Sequence, residues 1–515
     1  MCKFKIIFFL CLLILNAGYA KAAKLVYVPM DNRPVCLAYT VDTLRMAGWE
    51  VAVPPDEIIA SRYKKGDPDK LLAWLETECR DAYAAVISSD AVIYGGLVAS
   101  RTHDGDFKTF LERRERLSHL KEKSLGTKIY VFSTIMRTPK MSSGGVEPPY
   151  YEKWGPDIFR ISALLDKSYS VRLTKAEKLE YDELKKKLPE DILKDWMHRR
   201  MTNLEINMEL LASARKGNFD YFVLGKDDTA PFSQSHFEAR YINDTAKQKP
   251  LNNFKMFVGA DQLGMLLLTR AANERKKELP FVYAQYADGK GGKTVPSYED
   301  VEVEKTVKSH IQAMGAVSVK RPGNADLMLM VNTPYDGITK EASSADNVYE
   351  ADKNILKFAN LIKKEAEQRM VAVADVQFGN GASNALAMQL MKNNASGEIA
   401  SYAGWNTASN SIGYALSQGI LRKNMDRDDH IKMLMVRFFD DWTYQANVRG
   451  SLYSEVLWPK GINGTSLGKD KKMLEDEALI RIKKFYGNHI PKRIMDKLHV
   501  EFPWDRMFEI YISFE

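Results

Sequence analysis

The feature that most constrains this chain is a series of short, continuous apolar runs rich in β-branched residues, each followed by a polar turn and a helical pattern. Leu25–Met30, Val51–Val53, Ala84–Ser88, Ile129–Phe132, Tyr221–Leu224 and Met256–Val258 form a first series. Phe281–Ala284, Leu327–Val331, Val371–Ala374 and Ile399–Tyr402 form a second. A strand with one wet face alternates apolar and polar residues, whereas a parallel strand covered on both faces by helices does not. The runs therefore predict an α/β fold of mostly parallel sheets. Ten such strands exceed the eight of a closed (β/α)8-like barrel unless two lie outside it. Two doubly wound lobes, residues 24–275 and 280–420, are expected, with a barrel carrying additions as the alternative.

Two stretches depart from this rhythm. A highly charged helical insertion is expected at about 157–216, divided into two helices by Pro189. Its run Lys185-Lys186-Lys187 reads as a solvated face. Residues 421–515 are expected to be mostly helical and to end in an alternating strand at Phe508–Phe514.

The first residues carry a different signal. Lys3 and Lys5 precede an apolar run, Ile6–Leu15, and small residues follow at Ala17–Ala23. That is the layout of a cleavable signal peptide, assigned here to residues 1–22. The run is about half the length that a membrane-spanning helix needs, and no later segment approaches eighteen consecutive apolar residues. A periplasmic or secreted protein with no membrane span after cleavage is expected. Of four cysteines, Cys2 and Cys11 fall in the leader; Cys36 and Cys79 remain, and either a disulfide or two buried thiols is compatible with their positions. There is no Cys-x-x-Cys and no His-x-x-x-His pair, so no zinc site of familiar spacing is present and no cofactor or metal is assigned. Lys plus Arg is 74 against 67 Asp plus Glu, a formal +7 that falls to +5 without Lys3 and Lys5. The basic residues are scattered, which argues against a nucleic-acid partner.

In parallel α/β folds the ligand crevice lies at the C-terminal ends of the strands. Here those ends and their loops carry Asp31-Asn32-Arg33, Asp90, Tyr94, Arg101, Arg137, Asp227-Asp228, Asp261, Asn380 and Trp405-Asn406. Helix N-capping accounts for many Asp, Asn, Ser and Thr residues at such places. It does not account for Arg33, Arg101 and Arg137. Two adjacent carboxylates can be driven apart in proton affinity when one is desolvated and the other is not, which supplies an acid and a base. Asp227 and Asp228 are the candidate catalytic pair, with Asp261 a third carboxylate and His236 and Glu238 nearby as minor helpers. Trp405 and Asn406 are candidates to hold a sugar ring and its polar edges. Asp31, Asn32, Asp90, Tyr94, Arg137 and Asn380 are further substrate-binding candidates, with Arg33 and Arg101 suited to an anionic group.

These motifs together resemble a known set. Asp31-Asn32-Arg33-Pro34-Val35, Tyr94-Gly95-Gly96-Leu97 with Ser100-Arg101, Asp227-Asp228-Thr229, Gly259-Ala260-Asp261, Asn380-Gly381-Ala382, Ala403-Gly404-Trp405-Asn406-Thr407 and Pro503-Trp504-Asp505-Arg506 are similar to the bacterial family called domain of unknown function 4127. The resemblance runs from about residue 24 to the C-terminus. It implies that the chain works as one unit and that these loops matter, and it implies no activity.

An exported enzyme has little access to ATP or reduced nicotinamide, so hydrolysis is the favoured chemistry. The first expectation is a hydrolase of carbohydrate or cell-wall glycan using the aspartate pair. The alternatives are a metal-dependent phosphoester or amide hydrolase with Asp31, Asp90, Asp228 and Asp261 as oxygen ligands, and a non-enzymatic periplasmic protein that captures a small-molecule ligand.

Overall fold

The apolar runs pair as their periodicity requires in a computed structural model that describes residues 23–142, 144–487 and 490–514. The leader expected at residues 1–22 lies outside these. The first sheet holds β1 (Lys24–Val28), β2 (Glu50–Ala52), β3 (Ala84–Ser88), β4 (Lys128–Ile135), β5 (Tyr221–Lys226) and β6 (Phe254–Val258), all parallel, in the order β2-β1-β3-β4-β5-β6. The second holds β7 (Phe281–Tyr286), β8 (Val317–Ser318), β9 (Leu327–Asn332), β11 (Val371–Asp375) and β13 (Ser401–Ala403). Two short strands, β10 (Lys340–Glu341) and β12 (Phe378–Gly379), pair apart from it. The second sheet runs β13-β11-β9-β7-β8, also all parallel.

Counted from its own first strand, each sheet has the doubly wound order 2-1-3-4-5, and the first adds one more strand. The winding reverses between β1 and β3 in one sheet and between β7 and β9 in the other. Both sheets are open, so the barrel alternative is set aside: among the described residues β6 ends the first sheet and β8 ends the second, and the two do not pair.

The sheets share their core. Helices Leu263–Lys276 and Ala408–Leu421 pack on each other, the former against the first sheet and the latter against the second. All residues of Ala408–Leu421 are buried. One apolar cluster accordingly runs from Leu25 and Val86 through Leu266, Ile412 and Leu416 to Leu329 and Ala372. The helix can lie this close because it carries small residues; a Cβ on Gly413 would sit 2.5 Å from Cγ of Gln262.

The insertion forms three helices, Tyr151–Ser170, Lys175–Lys187 and Glu190–Arg215, where two were expected. Pro189 opens the last. The additional break lies at Thr174, whose hydroxyl accepts from the Glu177 amide (3.2 Å) while Glu177 accepts from the Thr174 amide (2.9 Å). This reciprocal cap satisfies two donors that the helix start would otherwise leave free. The C-terminal region is helical from Arg427 to Lys460, with a π-helical stretch at Phe438–Val448, and continues in helix Lys471–Tyr486. It closes on the antiparallel pair β14 (Leu498–Glu501) and β15 (Tyr511–Phe514). Cys36 and Cys79 are free thiols buried in different apolar clusters. Among the described residues no helix is long and apolar enough to cross a membrane.

Candidate functional site

The C-terminal ends of strands from both sheets open on one cleft of about 1010 Å³. The first sheet contributes Arg33 beyond β1, Arg137 beyond β4, Lys226 to Thr229 at the end of β5, and Gly259 to Asp261 beyond β6. The second contributes Asn380 and the segment bearing Asn406, Ser409 and Asn410. The loop from Val295 to Glu299 and the C-terminal residues Trp504, Arg506 and Phe508 complete the wall.

The charges in this cleft are arranged as ion pairs. Arg33 bridges two carboxylates, with Nε 3.0 Å from both Asp31 oxygens and Nη2 and Nη1 at 2.7 and 3.2 Å from the two oxygens of Asp261. Asn406 also donates to Asp261 (3.3 Å). Arg101 pairs with Asp227, and Arg137 pairs with Asp228 at 3.0 Å. Glu147 ties the two arginines together, 2.6 Å from Arg137 and 3.5 Å from Arg101. A planar guanidinium suits such forked contacts.

The adjacent acids have unlike surroundings. The Asp227 side chain is 11% exposed and gripped by Arg101; that of Asp228 is 24% exposed and presented to the cleft by a left-handed backbone at φ 32°. Burial pushes the Asp228 carboxyl up to about 6, the Asp227 charge adds to this, and Arg137 and Arg101 act against it. Around this dipeptide the loop that follows β7 is pinned down. The Thr229 amide donates to the Tyr298 carbonyl (2.9 Å), and Lys226 pairs with Asp300. Between these two anchors lies Glu299, almost fully buried, whose Oε1 accepts from the Ser409 amide (2.6 Å). Burial pushes its carboxyl up to about 7, against the opposing hydrogen bonds from Ser409.

Of the residues proposed from sequence, Arg33, Arg101, Arg137, Asp227, Asp228, Asp261, Asn380 and Asn406 line the cleft. Asp31 and Asn32 stand behind its wall: Asp31 holds Arg33, and Asn32 accepts from the Trp504 indole (2.7 Å). Three others are turned into the core. Asp90 accepts from the amide and hydroxyl of Thr134 (3.1 and 3.2 Å), linking β3 to β4, and burial pushes its carboxyl up to about 7. Tyr94 stacks on His103, with ring centroids 5.3 Å apart. Trp405 is 4% exposed and packs on Phe508, so it is a core residue and not a platform for a sugar. His236 pairs with Asp166 (2.7 Å) and Glu238 with Arg200, both outside the cleft. Asp31, Asp90, Asp228 and Asp261 are not gathered into a ligand set; among the described residues no group of three His, Cys, Asp or Glu side chains is placed to hold a metal ion.

The aromatic side of the cleft comes from the far end of the chain. Trp504 lies between two guanidiniums, those of Arg33 and Arg506, at 5.2 and 4.9 Å from its ring. Trp504, Arg506 and Phe508 belong to no buried parallel strand, so a search of strand ends passes over them. Glu299 was passed over for a related reason, since its loop leaves β7 well before reaching the site.

Over residues 25–513 the chain matches a family described as a protein of unknown function (DUF4127). No curated protein matches it.

Proposed function

Since the chain belongs to the DUF4127 family, described only as of unknown function, we propose its activity from the site itself: hydrolysis of a carbohydrate or cell-wall glycan, with Asp228 carrying the proton. The observation that supports this is the division between two neighbouring acids. Asp227 is an ion-paired carboxylate beside Arg101, and Asp228 is the partly exposed acid whose proton affinity is raised to about 6.

Cleavage of a glycosidic bond needs a group that protonates the leaving oxygen and a carboxylate that acts on the opposite face of the sugar or steadies the developing positive charge. Asp228 suits the first task because burial and the neighbouring charge raise its proton affinity, to about 6. Asp227 and Asp261, fixed by arginines, suit the second. The cleft walls add amides at Asn380 and Asn406 and aromatic surface at Trp504 and Phe508, which match the polar edges and CH faces of sugars. Hydrolysis consumes only water, in keeping with the export expected from residues 1–22.

The test is turnover of a panel of glycosides by the full chain and by Asp228→Asn and Asp227→Asn. Loss of turnover in Asp228→Asn is expected, and equal turnover in all three proteins would overturn the assignment. A second reading, a binding protein without catalysis, has one observation in its favour: Asp31, Asp227, Asp228 and Asp261 each already have an arginine partner. It requires ligand-dependent thermal stabilisation with no product formed.

A further inference from the structure

Glu147 touches both arginines of the acid pair yet lies outside the cleft. Its Oε1 is 2.6 Å from Arg137 and 3.5 Å from Arg101, the guanidiniums that also hold Asp228 and Asp227. Three carboxyl groups thus share two guanidiniums in one cluster. The sharing is uneven. Asp227 has Arg101 in close contact, and Glu147 reaches both arginines. Asp228 has Arg137 alone, at 3.0 Å, farther than Glu147 is from the same side chain. Glu147 is sealed, its side chain 3% exposed, whereas Asp228 opens on the cleft.

The chain fixes Glu147 in this place. It lies in the loop between β4 and helix Tyr151–Ser170, and Pro148 and Pro149 after it restrict the backbone. Tyr151 ties both ends of this loop, its amide donating to the Pro148 carbonyl (2.8 Å) and its hydroxyl to that of Pro139 (2.9 Å). Arg137 is held in turn by Arg200, which donates to its carbonyl (2.9 Å) and to that of Met136 (2.8 Å). The cations around the cleft are engaged elsewhere. Arg33 holds Asp31 and Asp261, Lys226 holds Asp300, Arg506 holds Glu509, and Lys140 lies 5.6 Å from the Phe159 ring. Tyr298, whose phenol faces Asp228, donates to Glu341 (2.7 Å). Asp90 faces Asp227 from within the core, where it accepts from Thr134.

We propose that Glu147 is a positioning residue for the acid: by occupying Arg137 it denies Asp228 a full partner, and so keeps a proton on the most exposed carboxyl of the cluster. The inference rests on the reading of Asp228 as the proton carrier and does not depend on which bond is cut. Unmatched negative charge in a poorly solvated place is relieved by taking up a proton. Burial works against the Arg137 charge, and Glu147, ahead of Asp228, sustains it. Burial and Asp227 raise the Asp228 carboxyl while Arg137 opposes them, so an arginine drawn toward Glu147 opposes them less.

Infrared titration of the full chain tests this without a substrate. The carbonyl stretch of protonated Asp228 is isolated by subtracting the spectrum of the same protein with Asp228→Asn added. Glu147→Gln keeps the shape and removes the charge, and is expected to move the midpoint of that band down by about one pH unit. Glu147→Asp keeps the charge and is expected to stay within about half a unit of the parent. Thermal melts establish that each variant is folded, and Glu147→Met replaces Glu147→Gln if the latter is not. A carboxylate that merely held Arg137 in place would give the opposite sign, since loss of the arginine raises Asp228. A midpoint unchanged or higher in Glu147→Gln overturns the proposal, and so does an equal shift in Glu147→Gln and Glu147→Asp. On a glycoside that is turned over, the fall in kcat/KM with rising pH should move down with the band. A band that moves as expected in a protein without glycoside turnover would remove the hydrolase and keep the role of Glu147. Turnover that depends on Asp228, with an unmoved band, would do the reverse.

Discussion

Two Asp-Asp pairs in this protein are held by arginine, and comparing them shows what a dipeptide does not reveal. Asp227 and Asp228 follow β5, take Arg101 and Arg137 as partners, and line the cleft. Asp440 and Asp441 lie in the π-helical stretch Phe438–Val448 and share one partner, Arg437, at 3.6 and 3.3 Å. All three are sealed from solvent. Asp441 accepts from the Gly404 amide (2.8 Å), Asp440 accepts from Gln445 (2.9 Å), and Arg437 lies 4.4 Å from the ring of Tyr39. Burial pushes Asp441 up to about 7, beside the value of about 6 for Asp228. By proton affinity alone the two pairs look alike. Access separates them: the second pair staples the helical C-terminal region to the end of β13 and has no room for a substrate.

The comparison breaks most readily at the acids themselves. Asp228→Asn is expected to lower kcat on a glycoside about 10²- to 10⁴-fold, the range for a lost general acid. Asp441→Asn should leave turnover per folded molecule unchanged. Equal losses in the two variants would show that activity follows the fold and not the cleft.

Next in size is the arginine of the sealed pair. Arg437→Met strands two buried carboxyls, and a loss of about 3–5 kcal/mol in urea unfolding is expected. A loss below about 1 kcal/mol, the range for surface pairs, would mean that water reaches this site.

The pairs also differ in what acid should do to them. The folded protein binds the Asp441 proton more tightly than the unfolded chain, whose carboxyl titrates near 3.8. The contribution of this group is therefore fully present below about pH 4 and is lost as pH rises through about 7. Asp441→Asn should flatten the fall in melting temperature between about pH 4 and pH 7, whereas Asp228→Asn should chiefly remove the fall in kcat as pH rises through about 6. The smallest effect is expected from Arg137→Met. Arg137 favours the ionised form of Asp228, so its removal should move that kinetic limb to higher pH. A shift to lower pH would give the dominant influence on Asp228 to another group.

Much of the fold was legible because the signal for a doubly covered strand is local. All ten apolar runs became strands, but the two-residue β8, β10 and β12 were not foreseen, since a ladder that short has no periodicity to detect. β14 was missed as well; its alternation at Leu498, His499, Val500 and Glu501 is that of a half-exposed strand outside the parallel sheets. The site was legible in part. Strand ends identified Arg33, Asp227, Asp228 and Asp261 because a parallel sheet sends those positions to one edge. The same rule proposed Asp90, Tyr94 and Trp405, which stand at strand ends but turn inward to satisfy Thr134, His103 and Phe508.

The sequence by itself determined the strands, their parallel direction and the residues standing at their ends, since each depends on neighbours a few positions away. Which ends meet was decided by tertiary structure. Helix Ala408–Leu421 sets the second sheet against the first, and the last residues of the chain bring Trp504 back to Asn32 and Arg33. Only that arrangement leaves Asp228 open and Asp441 closed. Desolvation and ion pairing depend on what surrounds a group from every direction, and much of that comes from other elements of the chain, such as Arg101 and Arg137 around Asp228 and Gly404 and Asp375 around Asp441.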